Sequence, residues 1–230
     1  MNRIYREKFD FKPDQLSITG YARTDILVNH DFNRTEIIDE IGLDSDKPIL
    51  LIALTWSHNR YGESSQPFSM KETDFLEKIS ILAGEFSIQV IYRSHLNSRV
   101  AENSRGGNVF IIPSDTYPVT EKLLAVTDVI VSDWSSIMFD YLLLHRPAIF
   151  IDRPCPFQKG FTYGPEFRFG PVVNTFDDMK NTINYSLNEP DSYAADYDKR
   201  MYAIRKIIYG EYDDGQSTQR CIDEIVNLVH

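Results

Sequence analysis

The chain has little cysteine, no long apolar run and no excess of positive charge. Only two of its 230 residues are cysteines, Cys155 and Cys221, too few and too far apart for a disulfide framework or a zinc site. Cys155 follows one proline and precedes another, which predicts a loop position and no ligand role. No apolar stretch approaches the ~20 residues needed to span a bilayer. The polar, charged start (Asn2, Arg3, Arg6, Glu7, Lys8, Asp10) does not read as a secretory leader, so a cytoplasmic location is the default expectation. Basic residues number 24 against 34 acidic ones, a formal net charge of −10. That balance argues against nucleic acid as a partner and against general attraction to an anionic membrane. Repeats and low-complexity tracts are absent as well.

The residues that are there follow the pattern of an α/β domain. The apolar fraction is 42% and the charged fraction 25%, ordinary for a globular protein. Apolar runs of strand length are expected at Leu16–Thr19, Ile49–Leu54, Ile88–Tyr92, Val109–Ile112, Val129–Ser132 and Ala148–Ile151. Helix-length segments alternate with them over 35–41, 71–86, 120–126, 137–144, 176–187, 191–208 and 217–229. Such alternation predicts a doubly wound, mainly parallel, Rossmann-like sheet. The chain reads as one nucleotide-binding domain, with residues 1–45 as a lead-in and helices over 190–230 packing on the sheet. Two long polar segments, 57–69 and 154–171, follow strands, where long loops are usually functional.

The most informative stretch runs from Thr127 to Asp152. An apolar strand ends at Ser132, a polar turn follows (Asp133, Trp134, Ser135, Ser136), and an almost wholly apolar helix leads to a second apolar strand. In a βαβ unit the turn after the first strand lies at the carboxyl edge of the sheet, where these folds bind ligands. Ser135 and Ser136 bring hydroxyls and free amides to the positive end of a helix, a seat for phosphate. The plainer alternative is a serine that only caps its helix. Asp140 is a lone carboxylate within Ile137-Met138-Phe139-Asp140-Tyr141. Buried without a partner it would be costly, so it is expected to be a structural anchor, bonded to backbone donors or paired with a cation.

A second strand runs into Arg93 and His95, two apart and so on one face. A guanidinium for a phosphate and an imidazole for proton transfer suit phosphoryl chemistry. His58 is a weaker candidate, and His30, His145 and His230 are expected to be structural or exposed. Gly170-Pro171 reads as a turn where backbone could approach a ligand closely. Asp214-Gly215 with Arg220 reads as a turn entering a helix. No closely spaced carboxylate cluster calls for a metal, and no cofactor is expected, with Mg²⁺ left open.

Taken together, these segments resemble the CDP-glycerol:poly(glycerophosphate) glycerophosphotransferases, the teichoic-acid primases and polymerases of bacterial envelopes. The family's Asp-Tyr-Ser-Ser-x-x-Phe-Asp-Tyr signature is similar to Asp133 through Tyr141, with Trp134 in place of tyrosine. Its Gly-x-x-Arg-x-Asp is similar to Gly20 through Asp25, and its Pro-Thr-Trp-Arg loop to Leu54-Thr55-Trp56-Ser57. The His motif matches Arg93-Ser94-His95-Leu96 without its prolines, and Gly160 to Pro171 and Asp214 to Arg220 complete the order. The resemblance covers about residues 17 to 225. It implies the nucleotide lobe of a two-lobed GT-B transferase, with the acceptor lobe absent from this chain and supplied by another segment or a partner protein. It implies CDP-glycerol or a similar CDP-polyol as donor, an envelope polymer or lipid-linked acceptor, and release of CMP. Arg93, Ser135, Ser136 and Gly170 would hold the donor phosphates, with His95 catalytic. Thr55, Trp56, Pro113 and Asp133 would line the nucleotide pocket, while Arg23, Asp140 and Arg220 support it. It also allows peripheral seating at the inner face of the cell membrane. A nucleotide-sugar transferase or epimerase and a non-catalytic nucleotide-binding module are the competing readings.

Overall fold

Strands that are apolar at every position need cover on both faces, and the fold supplies it. The computed structural model describes residues 7, 9–55, 67–93, 107–155 and 163–229. Six strands, β1 (Ile49–Ala53), β2 (Gln89–Tyr92), β3 (Val109–Ile111), β4 (Val129–Ser132), β5 (Ala148–Ile151) and β6 (Val172–Val173), form one sheet in the order β3-β2-β1-β4-β5-β6. Every neighbouring pair runs parallel. The helices are α1 (Asp25–Val28), α2 (Arg34–Ile41), α3 (Glu72–Glu85), α4 (Thr120–Val126), α5 (Ile137–Leu142), α6 (Phe176–Asn188), α7 (Pro190–Tyr209) and α8 (Ser217–Val229).

Alternation along the strands builds two cores. Ile49, Leu51 and Ala53 of β1 face one way, with Ile130, Ala148 and Phe150, against α2, α4, α5 and α7. Leu50 and Ile52 face the other way, with Val90, Val131 and Ile149, against α3 and α6. The stripe Phe75, Ile79 and Leu82 of α3 is fully covered by this second core, each side chain worth roughly 1.5–3 kcal/mol of burial. Local signals fix the helix ends. Asn33 accepts from the amides of Thr35 and Glu36 to start α2, and Thr175 accepts from the Asp178 amide to start α6.

Three sequence expectations are corrected. Leu16–Thr19 is not a strand: among the described residues no neighbour pairs with it, Ile18 stays 53% exposed, and Thr19 instead meets Cys221 side chain to side chain. Val172–Val173, not among the expected strands, pairs with β5 as the sheet's edge strand. The helix after the serine pair ends at Leu142, and Leu143 to His145 form a turn with His145 at φ 52°. The two C-terminal helices also differ in what they cover. From α7, Tyr193 reaches β5, its hydroxyl accepting from the Ala148 amide and donating to the Ala148 carbonyl. By contrast α8 seats on the turn at Ala22–Thr24.

The strand order places the functional edge. From β1 the chain builds outward to β2 and β3, then crosses back to β4 on the other side of β1. The carboxyl ends of β1 and β4, where Ala53 stands opposite Ser132, therefore open a crevice at a topological switch point.

Candidate functional site

A cleft of about 300 Å³ occupies that crevice, lined by Ala53, Leu54, Arg93, Ser114, Ser135, Ser136 and Ile137, with Arg23, Thr120, Glu121 and Asp140 along one wall. Six stretches of chain thus converge on it. The sequence reading singled out Arg93, Ser135 and Ser136, and the fold brings all three together here.

The serine turn is built differently from a capped helix. Ser136 stands at the position before α5 with helical φ/ψ, and its side chain makes no capping bond. Among the described residues, the hydroxyls of Ser135 and Ser136 and the amides of Ser135, Ser136 and Ile137 meet no protein acceptor. These five polar groups are available to a ligand at the cleft's surface. At six residues α5 is under two turns long, so the dipole contributes less than the sequence reading supposed, and the open donors carry the argument.

The two arginines divide the work unequally. Arg93 Nη1 donates to the carbonyls of Tyr117 (2.6 Å) and Pro113 (3.4 Å), and Nη2 to Thr120 Oγ1 (3.2 Å). It therefore straps the loop after β3 to the sheet edge, which accounts for Pro113 lying beside the cleft. Burial draws the Arg93 pKa downward, against the pull of Asp115 and Glu121. Arg23 pairs with Asp140, its Nη2 lying 2.8 and 3.1 Å from the two carboxylate oxygens. This is the cation that the lone carboxylate required. Burial pushes the Asp140 carboxyl above its usual range, with Arg23 pulling the other way. Tyr209 Oη donates to the Phe139 carbonyl at 3.0 Å and lies 3.5 Å from Asp140 Oδ1.

Asp133, expected in the nucleotide pocket, has its carboxylate committed to a clamp within the protein. Its Oδ1 accepts from the Thr55 and Trp134 amides, both at 2.7 Å, and its Oδ2 from Arg153 Nη1 at 2.6 Å. The side chains of the pair are 2% and 8% exposed. With both oxygens committed, Asp133 ties together the carboxyl ends of β1, β4 and β5 and does not line the cleft. Thr55 gives its amide to this clamp, and its hydroxyl is buried without a partner. Beside it Arg168 stacks over the Trp134 ring at 4.4 Å.

Gly170 is tightly enclosed. A Cβ there would fall on the Ala148 carbonyl and press the Tyr193 hydroxyl, so close packing just before β6 by itself requires the glycine. Arg220 holds the turn before α8 through Asp214 and lies over the Tyr212 ring at 5.1 Å. The first and last motifs meet in one junction. Asp25 accepts from the Ser217 and Thr218 amides to cap α8, while Gly20, at φ 89°, leaves room for the Ser217 side chain. Trp56, His58, His95 and His230 lie outside the described residues.

The sequence reading missed Glu121 and Arg153. A signal existed for Glu121, an acid in the first turn of α4, and for Arg153, a cation just past the end of an apolar strand. Neither shows what it faces until the strands are in register. Among the described residues no group of three or more His, Cys, Asp or Glu side chains is placed to hold a metal ion, and no helix is long and apolar enough to cross a membrane.

A profile of the CDP-glycerol:poly(glycerophosphate) glycerophosphotransferases matches residues 1–227. The teichoic acid ribitol-phosphate polymerase TarK of Staphylococcus aureus is 26% identical over 231 residues, covering 96% of this chain and 42% of its own length. The teichoic acid poly(glycerol phosphate) polymerase of Bacillus spizizenii is 26% identical over 235 residues, covering 97% and 56%. Among solved structures, a variant of the wall teichoic acid polymerase TagF soaked with CDPG superposes at a TM-score of 0.74 and 21% identity, covering 98% of this chain and 55% of that one. The chain spans about half the length of the relatives it matches.

Proposed function

The chain belongs to the CDP-glycerol:poly(glycerophosphate) glycerophosphotransferase family, and from that premise we propose that it is the donor-binding lobe of a polyol-phosphate transferase. The donor is CDP-glycerol or a close CDP-polyol, and the acceptor is a hydroxyl of a cell-envelope polymer or lipid-linked carrier. One observation carries the reading: the open hydroxyls and amides of Ser135, Ser136 and Ile137 at the switch-point cleft. A diphosphate needs such a row of unspent donors, because its charge is spread over several oxygens. Relatives that polymerise ribitol phosphate and glycerol phosphate support the polyol-phosphate class.

In this reading the acceptor oxygen attacks the β-phosphorus as the bond to the bridging oxygen breaks. CMP leaves with that electron pair, and the acceptor's proton is released. Charge spreads over the phosphoryl oxygens in the transition state, so the serine turn acts by electrostatic stabilisation, worth roughly 10²–10³-fold per donor. His95 follows Arg93 by two residues in sequence, and it is the group proposed to take the proton or to balance the leaving phosphate. The family's other lobe would provide the acceptor groove, as would fit a chain half its relatives' length. The working place is the cytoplasmic face of the membrane, where a lipid-linked acceptor is within reach.

Calorimetric titration of CDP-glycerol tests this directly. We expect Ser136→Ala to bind about tenfold more weakly, the loss of one hydrogen bond to a charged group. Its thermal stability should not change, because the hydroxyl caps nothing. A wild-type chain that binds no cytidine nucleotide at millimolar concentration would sink the reading. A UDP-sugar binding more tightly than CDP-glycerol would transfer it to a nucleotide-sugar enzyme. Binding without turnover after the second lobe is supplied would leave only a nucleotide-binding module.

A further inference from the structure

We infer that Arg23 is the cation that receives phosphoryl oxygens of an anion seated at Ser135 and Ser136, and that Asp140, itself steadied by Tyr209, holds it in place for that task. The inference rests on the donor-phosphate reading of the cleft and deepens it. Arg93, the arginine that sequence position favours, is the poorer candidate, because its Nη1 and Nη2 are already spent on two carbonyls and a hydroxyl.

Three observations point to Arg23. Ser136 and Asp140 are four residues apart on one helical face, so their side chains are neighbours about 5–6 Å apart at Cβ. A guanidinium bound to Asp140 at 2.8 Å is thus anchored on the helical face that carries Ser136, and both residues line the same cleft. Next, Arg23 spends only one of its three nitrogens. Nη2 serves both Asp140 oxygens, Nε stands 3.8 Å from Glu121, beyond hydrogen-bond range, and Nη1 meets no protein acceptor among the described residues. Last, exposure divides the pair. Asp140 is 11% exposed and Arg23 55%, so the carboxylate is the buried anchor and the guanidinium presents its remaining edge to solvent. A fixed, open edge of planar donors suits a phosphate oxygen pair, and a lysine would not reproduce it. Glu121 opposes an incoming anion, but at 3.8 Å it is loosely held and can be exchanged for the phosphate.

The test separates a ligand role from mere anchoring. In the full 230-residue chain, Arg23→Gln combined with Asp140→Asn removes both charges, so no buried carboxylate is stranded. CDP and inorganic pyrophosphate are titrated into wild type and double variant, with melting temperatures measured alongside. The inference expects a double variant that melts near wild type yet binds both probes at least about tenfold more weakly. Equal affinity in a folded double variant overturns it. If the double variant does not fold, Arg23→Lys keeps a charge against Asp140. It should still lose severalfold in affinity, and an unchanged affinity again overturns the inference. Should wild type bind pyrophosphate but not CDP, the cytidine reading of function falls, and pyrophosphate alone decides on Arg23. Binding of neither probe overturns both.

Discussion

Replacing Asp133 by asparagine tests whether the cleft stands on a buried ionic clamp. The carboxylate accepts three bonds, from the Thr55 and Trp134 amides and from Arg153 Nη1, in a pair whose members are nearly sealed from water. Asparagine keeps one oxygen for the two amides but turns an NH₂ group or a weaker acceptor toward the guanidinium. Arg153 Nε is already buried without a partner, so the variant strands an almost wholly buried cation. Removing one partner of such a pair costs about 3–5 kcal/mol, a large share of the 5–15 kcal/mol that holds a typical domain together. With a urea slope of about 2 kcal/mol per molar, the unfolding midpoint should fall by roughly 2 M. Adding Arg153→Met removes the stranded charge and should return most of the loss, leaving the double variant within about 1 kcal/mol of wild type. The measurement is a double-mutant cycle by urea denaturation, followed by tryptophan fluorescence and circular dichroism. A single variant costing less than about 1 kcal/mol, or a double variant no better than the single, would refute the clamp.

Two further outcomes are expected. Gly170→Ala drives a methyl into the Ala148 carbonyl and the Tyr193 hydroxyl. Overpacking costs about 1–3 kcal/mol and the disturbed Tyr193 bonds about 1 kcal/mol, so urea stability should fall by roughly 2–4 kcal/mol. CDP affinity of the folded fraction should not change, and an affinity loss at wild-type stability would restore Gly170 to the ligand site. His145, though exposed overall, is held below its usual pKa by partial desolvation first and then by Arg205. The unfolded chain therefore takes up this proton more readily, so the neutral form's contribution is complete above about pH 6.5. It is lost as pH falls through that value toward the folded pKa. Melting temperature should decline from about pH 7.5 to about pH 5.5, and less so in His145→Asn, where asparagine tolerates the positive φ. Identical slopes in both proteins would show that His145 plays no part.

Much of the fold was legible because the strands are apolar but for Gln89 and Ser132 at strand ends. A run such as Ile49 to Ala53 has no polar face to leave in water, so a sheet covered on both sides was the consistent arrangement, and alternation with helical segments made it parallel. Leu16–Thr19 misled for the same reason in reverse. Its short apolar content suited a strand, but strand formation needs a neighbour, and propensity cannot say that none is available. Val172–Val173 was hidden because two residues beside Gly170-Pro171 look like a turn until Phe150 and Ile151 are set against them. The site was legible as a place but not as a set of roles. An aspartate next to two serines reads as a ligand contact, and only the register of β4 with β5 shows Arg153 waiting for it. A glycine before a proline reads as freedom to approach a ligand, whereas the crowding around Gly170 lies in Ala148 and Tyr193, residues distant in sequence.

The lead-in segment has more to do with the cleft than its position in the chain suggests. Gly20, Arg23 and Asp25 are three positions of one short motif, and each closes a different contact: with Ser217, with Asp140, and with the first amides of α8. Arg23 is flanked on both sides by residues that fix it to α8, so the side chain at the cleft wall is positioned by the C-terminal helix as much as by α5. Capping bonds of this kind are worth about 0.5–2 kcal/mol each, enough to hold a turn but not enough to force one. The motif therefore fastens the turn that carries Arg23 to the start of α8. The spacing of its glycine and aspartate sets where the guanidinium falls relative to Ser136, so the Arg23 wall of the cleft is positioned by a contact between residues 192 apart in sequence.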